Sequence, residues 1–126
     1  MKFGQMDIQI ISDGEFRLDG GSMFGVVPKT LWEKLKPSDE LNRIRLGLNS
    51  LLIKHRKKNI IIDTGVGTKI DAKDIELYDI RRKRFFIEQL RDLDLKPEDI
   101  DYVILTHLHL DHCGGSTYID SNGILK

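Results

Sequence analysis

A chain of 126 residues holds one domain of ordinary size and is too short for two. Hydrophobic residues at 40% and charged residues at 32% mark it as globular rather than disordered. With 20 basic and 20 acidic residues, no net field draws it to nucleic acid or anionic lipid.

Cys113 is the single cysteine, which excludes an intrachain disulfide and suits a reducing compartment. Residues Met1–Asp7 lack the apolar core of a signal peptide, and runs such as Leu51-Leu52-Ile53 are far shorter than a membrane span. The expected setting is cytoplasmic, with no membrane partner.

In chain order, Met6 to Ser12 alternates in part and predicts a strand. Asp13-Gly14 is a turn signal, so Glu15 to Leu18 is expected to fold back as a hairpin. Gly20-Gly21-Ser22 reads as a flexible loop. A helix is expected from Pro28, striped by Leu31, Trp32 and Leu35 and ended by Pro37. Ile44–Ile53 and Asn59–Ile62 form the clearest strand pair, joined by a charged turn over residues 54–58. The β-branched run Ile60-Ile61-Ile62 suits a central strand buried on both faces. Lys69 to Asp79 shows no period. Arg81 to Leu93 predicts a helix with Phe86, Leu90 and Leu93 on one face. Pro97-Glu98-Asp99 is a short turn, and Ile100 to Leu105 is a further buried strand. Strands, helix, strand and loop in this order give an α/β arrangement, whose ligand sites lie at the carboxyl ends of strands. Asp63 and His107 both occupy such positions.

Three of the four histidines fall within six residues: His107, His109 and His112, with Asp111 among them. In an extended segment alternate side chains share a face, so His107, His109 and Asp111 can point one way. A turn eased by Gly114-Gly115 returns His112 to the same cavity. Neutral imidazole and carboxylate both suit zinc, and iron or manganese as well. Two divalent metals, one taking His107 and His109 and the other Asp111 and His112, would engage all four side chains. Packing four such groups together without a cation would cost several kcal/mol, on the order of ~2–7 for each unpaired polar group.

The stretch Thr106-His107-Leu108-His109-Leu110-Asp111-His112, with Gly114-Gly115 after it, resembles the H-x-H-x-D-H signature of the metallo-β-lactamase superfamily. Ile61-Ile62-Asp63-Thr64-Gly65 is similar to that superfamily's strand ending in an Asp-x-Gly turn, and Asp19 to Lys29 resembles the opening of a bacterial branch that includes quorum-quenching lactonases. The resemblance implies a four-layer αββα sandwich with a mixed β-sheet. Residues 1–126 would supply its N-terminal half, with the C-terminal half absent. It also implies a binuclear centre, usually dizinc, whose bridging hydroxide attacks a lactone or ester carbonyl of a small-molecule substrate. Asp111 would be both ligand and catalytic proton carrier. Asp63 would accept the second N–H of a ligand imidazole and so orient it. A phosphodiesterase or nuclease on the same fold and a truncated metal-binding remnant are the alternatives.

The family's later ligands, a further histidine, a bridging acid and a last histidine, have no counterpart after His112, and Asp120 lies too close to serve. His55 sits in the charged turn and is a poor substitute. Cys113 reads as a small packing residue, and Arg81-Arg82-Lys83-Arg84 as a solvated helix start rather than a nucleic-acid contact. Met23, Phe24 and Trp32 read as core, with an acyl-chain pocket as the alternative.

Overall fold

The computed structural model describes all residues from Met1 to Lys126. Five strands form one mixed sheet in the order β1-β2-β3-β4-β5. They are β1 (Lys2–Phe3), β2 (Met6–Asp19), β3 (Arg43–His55), β4 (Lys58–Ile62) and β5 (Tyr102–Ile104). The first four pair antiparallel, and β5 runs parallel to β4 after a crossover. The helices are short: α1 (Gly20–Phe24), α2 (Lys29–Trp32), α3 (Ala72–Leu77), α4 (Phe86–Arg91) and α5 (Leu110–Cys113). None is long and apolar enough to cross a membrane.

The expected hairpin at Asp13-Gly14 is not formed. β2 continues through it as one strand of 14 residues, paired along its length with β3. The Asp-Gly pair makes a bulge between Ser12 and Gly14, where Gly14 has φ +114° and an added Cβ would lie 2.3 Å from the Arg81 carbonyl oxygen. The long partner strand supplies more pairing than a two-residue turn could. Gly20-Gly21-Ser22 is not loose either: it starts α1, with the Asp19 carboxylate accepting the Ser22 N–H at 2.7 Å. The helix expected from Pro28 closes after Trp32 and continues only as turns. Residues 69–79 hold α3, capped by Asp71, whose side chain accepts from Asp74 N–H at 2.8 Å.

The helix expected from Arg81 to Leu93 starts only at Phe86. Arg81 is drawn into extended pairing with Glu15, and Arg82 reaches Asp13. These long-range partners outweigh helix propensity. Of the cationic run, Arg81, Arg82 and Arg84 are ion-paired to Asp79, Asp13 and Asp92.

The inner face of the sheet carries two apolar clusters. Ile11, Leu52 and Ile61 pack under Leu90 of α4 and Leu95. Phe16, Leu48 and Val66 form the second cluster, with Tyr78 and Ile80 against them. Trp32 is buried, stacked on Phe24 at 4.9 Å, as core packing requires, whereas Met23 is exposed. Cys113 is half-buried.

On the outer face, cross-strand neighbours build two apolar rows, Ile10–Leu51–Ile62–Ile104 and Ile8–Ile53–Ile60–Tyr102. Ile10, Ile104 and Tyr102 are exposed there. β4 is therefore covered on one face only, through buried Ile61, and β5 is an exposed edge strand rather than the buried one expected. Apolar composition signals that a surface needs covering, and does not say what covers it.

Candidate metal centre

The site forms where β4 and β5 end side by side. Asp63 follows β4 directly and has φ +57°, which turns its carboxylate sideways toward the chain leaving β5. Its own N–H donates to the Ile104 carbonyl at 2.9 Å, so the two strand ends are tied before they diverge. The Asp63 carboxylate is buried and accepts the Thr106 N–H at 2.8 Å and the Thr106 hydroxyl at 2.8 Å. It also meets Nδ1 of His112 at 2.8 Å.

Burial alone would raise the Asp63 pKa, but the hydrogen bonds from His112 and Thr106 prevail and hold it below the usual carboxylate range. Asp63 is thus an acceptor only, and the proton in its contact with His112 sits on Nδ1. In the neutral ring the lone pair of His112 is then on Nε2. This nitrogen faces Oδ2 of Asp111 at 3.1 Å. With the neutral ring these are two acceptors, which a proton on Nε2 or a cation between them reconciles.

His107 and His109 meet Nε2 to Nδ1 at 3.2 Å, within hydrogen-bond distance, and the rings of His107 and His112 lie 3.9 Å apart. Thr106 also reaches Nδ1 of His107 at 3.1 Å. The short helix α5 brings Asp111 and His112 round, with the His112 N–H donating to the His109 carbonyl at 2.9 Å. His107 and His109 are exposed, while Asp111 and His112 are half-buried.

A second loop braces this one from below. Thr64 N–H and hydroxyl both donate to the His112 carbonyl, at 2.7 and 3.1 Å. Gly115 passes so close that an added Cβ would lie 2.2 Å from the Thr64 carbonyl oxygen. Asp13 in turn holds the 63–67 loop: its carboxylate accepts the Gly67 N–H at 2.9 Å and pairs with Arg82.

All five residues singled out in the sequence therefore stand together: His107, His109, Asp111, His112 and Asp63. His55 ends β3 beside Lys58, at the opposite end of β4 from Asp63. Thr106, Thr64 and Asp13 were not singled out. Only the position of Thr106 immediately before the first histidine hinted at a part in the site.

The donors meet in pairs, and no group of three or more is arranged to hold a metal ion. Catalytic zinc ordinarily takes three protein ligands. Yet imidazole and carboxylate are metal donors, and Nε2 of His112 and Oδ2 of Asp111 stand together at 3.1 Å. The chemistry of the residues fits a divalent cation.

An α/β sheet with a histidine and aspartate cluster at its strand ends defines a class in which ligands gather at the carboxyl edge of the sheet. Residues 43–125 match the model of the metallo-beta-lactamase superfamily, and the chain belongs to that family. It is 30% identical over 118 residues to an N-acyl homoserine lactonase, AiiB, of Rhizobium rhizogenes, covering 83% of this chain and 41% of that protein. The fold is similar to the crystal structure of a probable metal-dependent hydrolase from Staphylococcus aureus, with a TM-score of 0.85, 40% identity, and coverage of 91% of this chain and 42% of that one. It is also similar to AidC, described as a dizinc quorum-quenching lactonase in complex with a product, with a TM-score of 0.66, 26% identity, and coverage of 97% and 39%. The chain thus spans about two-fifths of the length of these relatives. The mixed sheet is part of the metallo-beta-lactamase fold.

Proposed function

We propose that residues 1–126 form the N-terminal part of one metallo-beta-lactamase-like domain in a metal-dependent hydrolase acting on a lactone or related ester. The observation that carries the reading is the cluster of His107, His109, Asp111 and His112 at the strand ends, with Asp63 oriented on His112. The similarity to an N-acyl homoserine lactonase supports the substrate class. The two open apolar rows on the outer face support a domain completed by a further layer.

His107 and His109 would hold one divalent metal, and Asp111 and His112 the other, with zinc the first choice on the donor set. When bound, such metals lower the pKa of water and polarise a carbonyl oxygen. The chain's own contribution is positioning and proton handling. Asp63 keeps the proton of His112 on Nδ1 and Nε2 free. Thr106 fixes Asp63, and Thr64 holds the backbone of His112. Asp111 carries the carboxylate that can take up a proton and pass it to a leaving group. The substrate would be a small molecule bound in the cavity beside His109 and Asp111. Nucleic acid fits less well, because the cations at 81, 82 and 84 are already paired to aspartates.

The test is metal content and turnover of the full-length protein. About two metals per chain are expected by mass spectrometry, with hydrolysis of N-hexanoyl-homoserine lactone abolished by a chelator and by His109→Ala. Metal bound without turnover on a panel of lactones and esters would reject the substrate class. Turnover retained in His109→Ala would reject the site.

A further inference from the structure

The segment from Tyr78 to Arg81 lies along the edge of β2 that faces away from β3. The Arg17 N–H donates to the Tyr78 carbonyl at 2.7 Å, and Glu15 and Arg81 exchange both backbone hydrogen bonds, at 2.9 and 2.8 Å. Tyr78 and Asp79 form the turn that ends α3, and Arg81 bridges to Glu15 in extended pairing. Tyr78 and Ile80 point to the inner face, against the Phe16, Leu48 and Val66 cluster. Asp79 and Arg81 point to the outer face. There Asp79 forms ion pairs with Arg17 at 3.0 Å, Arg45 at 2.6 Å and Arg81 at 2.9 Å.

The inner face of this strap borders a cavity of about 240 Å³ that also touches the metal centre. Its lining includes Phe16, Leu18, Tyr78 and Ile80 on one side and His109 and Asp111 on the other. One side of the strap is therefore clamped by charge while the other forms an apolar wall next to the reacting groups. Asp79 also has φ +43°, a conformation that few side chains adopt, which fixes the step between the two faces.

We infer that Asp79 is a positioning residue for substrate selectivity: by clamping the strap on the outer face it holds Tyr78 and Ile80 where they limit the apolar substituent that fits beside His109 and Asp111. Loss of its charge would act unevenly. The Asp79–Arg81 pair lies within the strap, so the ties lost across to the sheet are those to Arg17 and Arg45, which keep Asp39 at 3.0 Å and Glu15 at 3.6 Å as other partners. The strap would loosen from the Tyr78–Asp79 end, where Arg17 N–H meets the Tyr78 carbonyl, and the wall would give way for longer substituents.

The inference takes its substrate, but not its geometry, from the lactone and ester reading above. The test uses the full-length protein as wild type, Asp79→Asn and a control, Asp101→Asn, which breaks the exposed Lys58–Asp101 pair at the far end of β4. Asparagine keeps the shape of aspartate and tolerates positive φ. Amide hydrogen exchange is read at Arg17 and Arg81, together with kcat and KM for homoserine lactones and simple esters bearing short or long acyl chains.

In Asp79→Asn, exchange at Arg17 and Arg81 is expected to accelerate about tenfold or more, with β3–β4 amides unchanged. The ratio of long-chain to short-chain KM is expected to shift about fivefold or more, with kcat for each substrate within about twofold, because a pocket wall discriminates apolar groups by roughly that much. The control should move neither. Unchanged exchange overturns the clamp. Faster exchange with an unchanged KM ratio overturns the selectivity role. Wild-type protein inert toward every lactone and ester overturns the substrate class and the selectivity role with it, while the exchange result still decides the clamp.

Discussion

Asp63 and His112 lie 49 residues apart in sequence, yet a carboxylate oxygen of one meets Nδ1 of the other at 2.8 Å. The contact decides a tautomer. An ionised Asp63 can only accept, so it keeps the proton on Nδ1 and presents Nε2 to the Asp111 side of the cluster. Asp63→Asn retains the shape and the positive φ but loses the charge and one acceptor, which Thr106 and His112 then contest. Metal affinity of the full-length protein is expected to fall about 10–100-fold, the usual range for a lost partner behind a ligand imidazole. Competition with a chromophoric chelator measures it. Affinity within about twofold of wild type would show that Asp63 serves the turn alone.

Asp13 carries a second load. Its side chain is 1% exposed and pairs with Arg82, whose own side chain is 13% exposed. Asp13→Ala would strand a nearly buried guanidinium and free the Gly67 N–H. The expected loss is about 3–5 kcal/mol, the range for breaking one partner of a buried pair. Asp13→Asn can still accept the Gly67 hydrogen bond and should lose less, about 1–3 kcal/mol. Urea unfolding midpoints at constant slope distinguish the two. Equal losses would show that the charge removed in both variants matters, and the side chain's volume and its bond to Gly67 do not.

Asp79 gives a pH signature. The hydrogen bond from Arg81, opposed by burial and reinforced by Arg45, brings its pKa down from 3.8 to about 2. A carboxyl depressed in the folded state adds stability above its unfolded pKa, near ~4, and loses it as pH falls toward the folded value. The stability gap between wild type and Asp79→Asn should therefore be constant from neutral pH to about 5, narrow below that, and close near pH 2. Asp13 has the opposite sign. Burial lifts its pKa against the pull of Arg82 and Gly67, so its share of stability is greatest at low pH and is lost as pH rises through the raised value. Thermal melts of both variants across that range check both signs; a gap for Asp79→Asn that widens toward pH 2 would refute the assignment.

Much of the site was legible because its chemistry is concentrated. Histidines at 107, 109 and 112 with Asp111 announce themselves by spacing, and Asp63 by its place after a β-branched run. The braces were not legible, since Thr64, Thr106 and Asp13 act through partners 43 to 54 residues away and threonine has no spacing rule. The fold showed the same division. β3 and β4 were visible in their own residues, as was the capping aspartate at 71, overlooked within a polar stretch. The bulge at Gly14 was misread because Asp-Gly is the same local signal in a turn and in a bulge. Only the 13-residue partner strand decides between them. The strap at 78–81 took Arg81 out of a helix for the same reason: its pairing partner, Glu15, is distant in sequence.

Gly115 tests whether the two loops of the site behave as one body. A methyl there would meet the Thr64 carbonyl oxygen at 2.2 Å, a backbone atom that cannot rotate away. The same threonine donates twice to the His112 carbonyl, so relief of the clash has to move His112 relative to Asp63. Gly115→Ala should therefore cost about 1–3 kcal/mol of stability, the usual penalty for overpacking. It should also weaken metal binding more than an overpacked site of equal cost elsewhere. Gly20→Ala is the comparison: its Cβ would meet the Trp32 ring at 2.5 Å, in the α1–α2 region away from the histidines. Both variants are expected to unfold earlier, with metal affinity reduced about tenfold or more in Gly115→Ala alone, since a misplaced ligand loses affinity as a lost outer partner does. Equal metal affinities in the two variants would show that His112 is held by α5 and not by the loop beneath it.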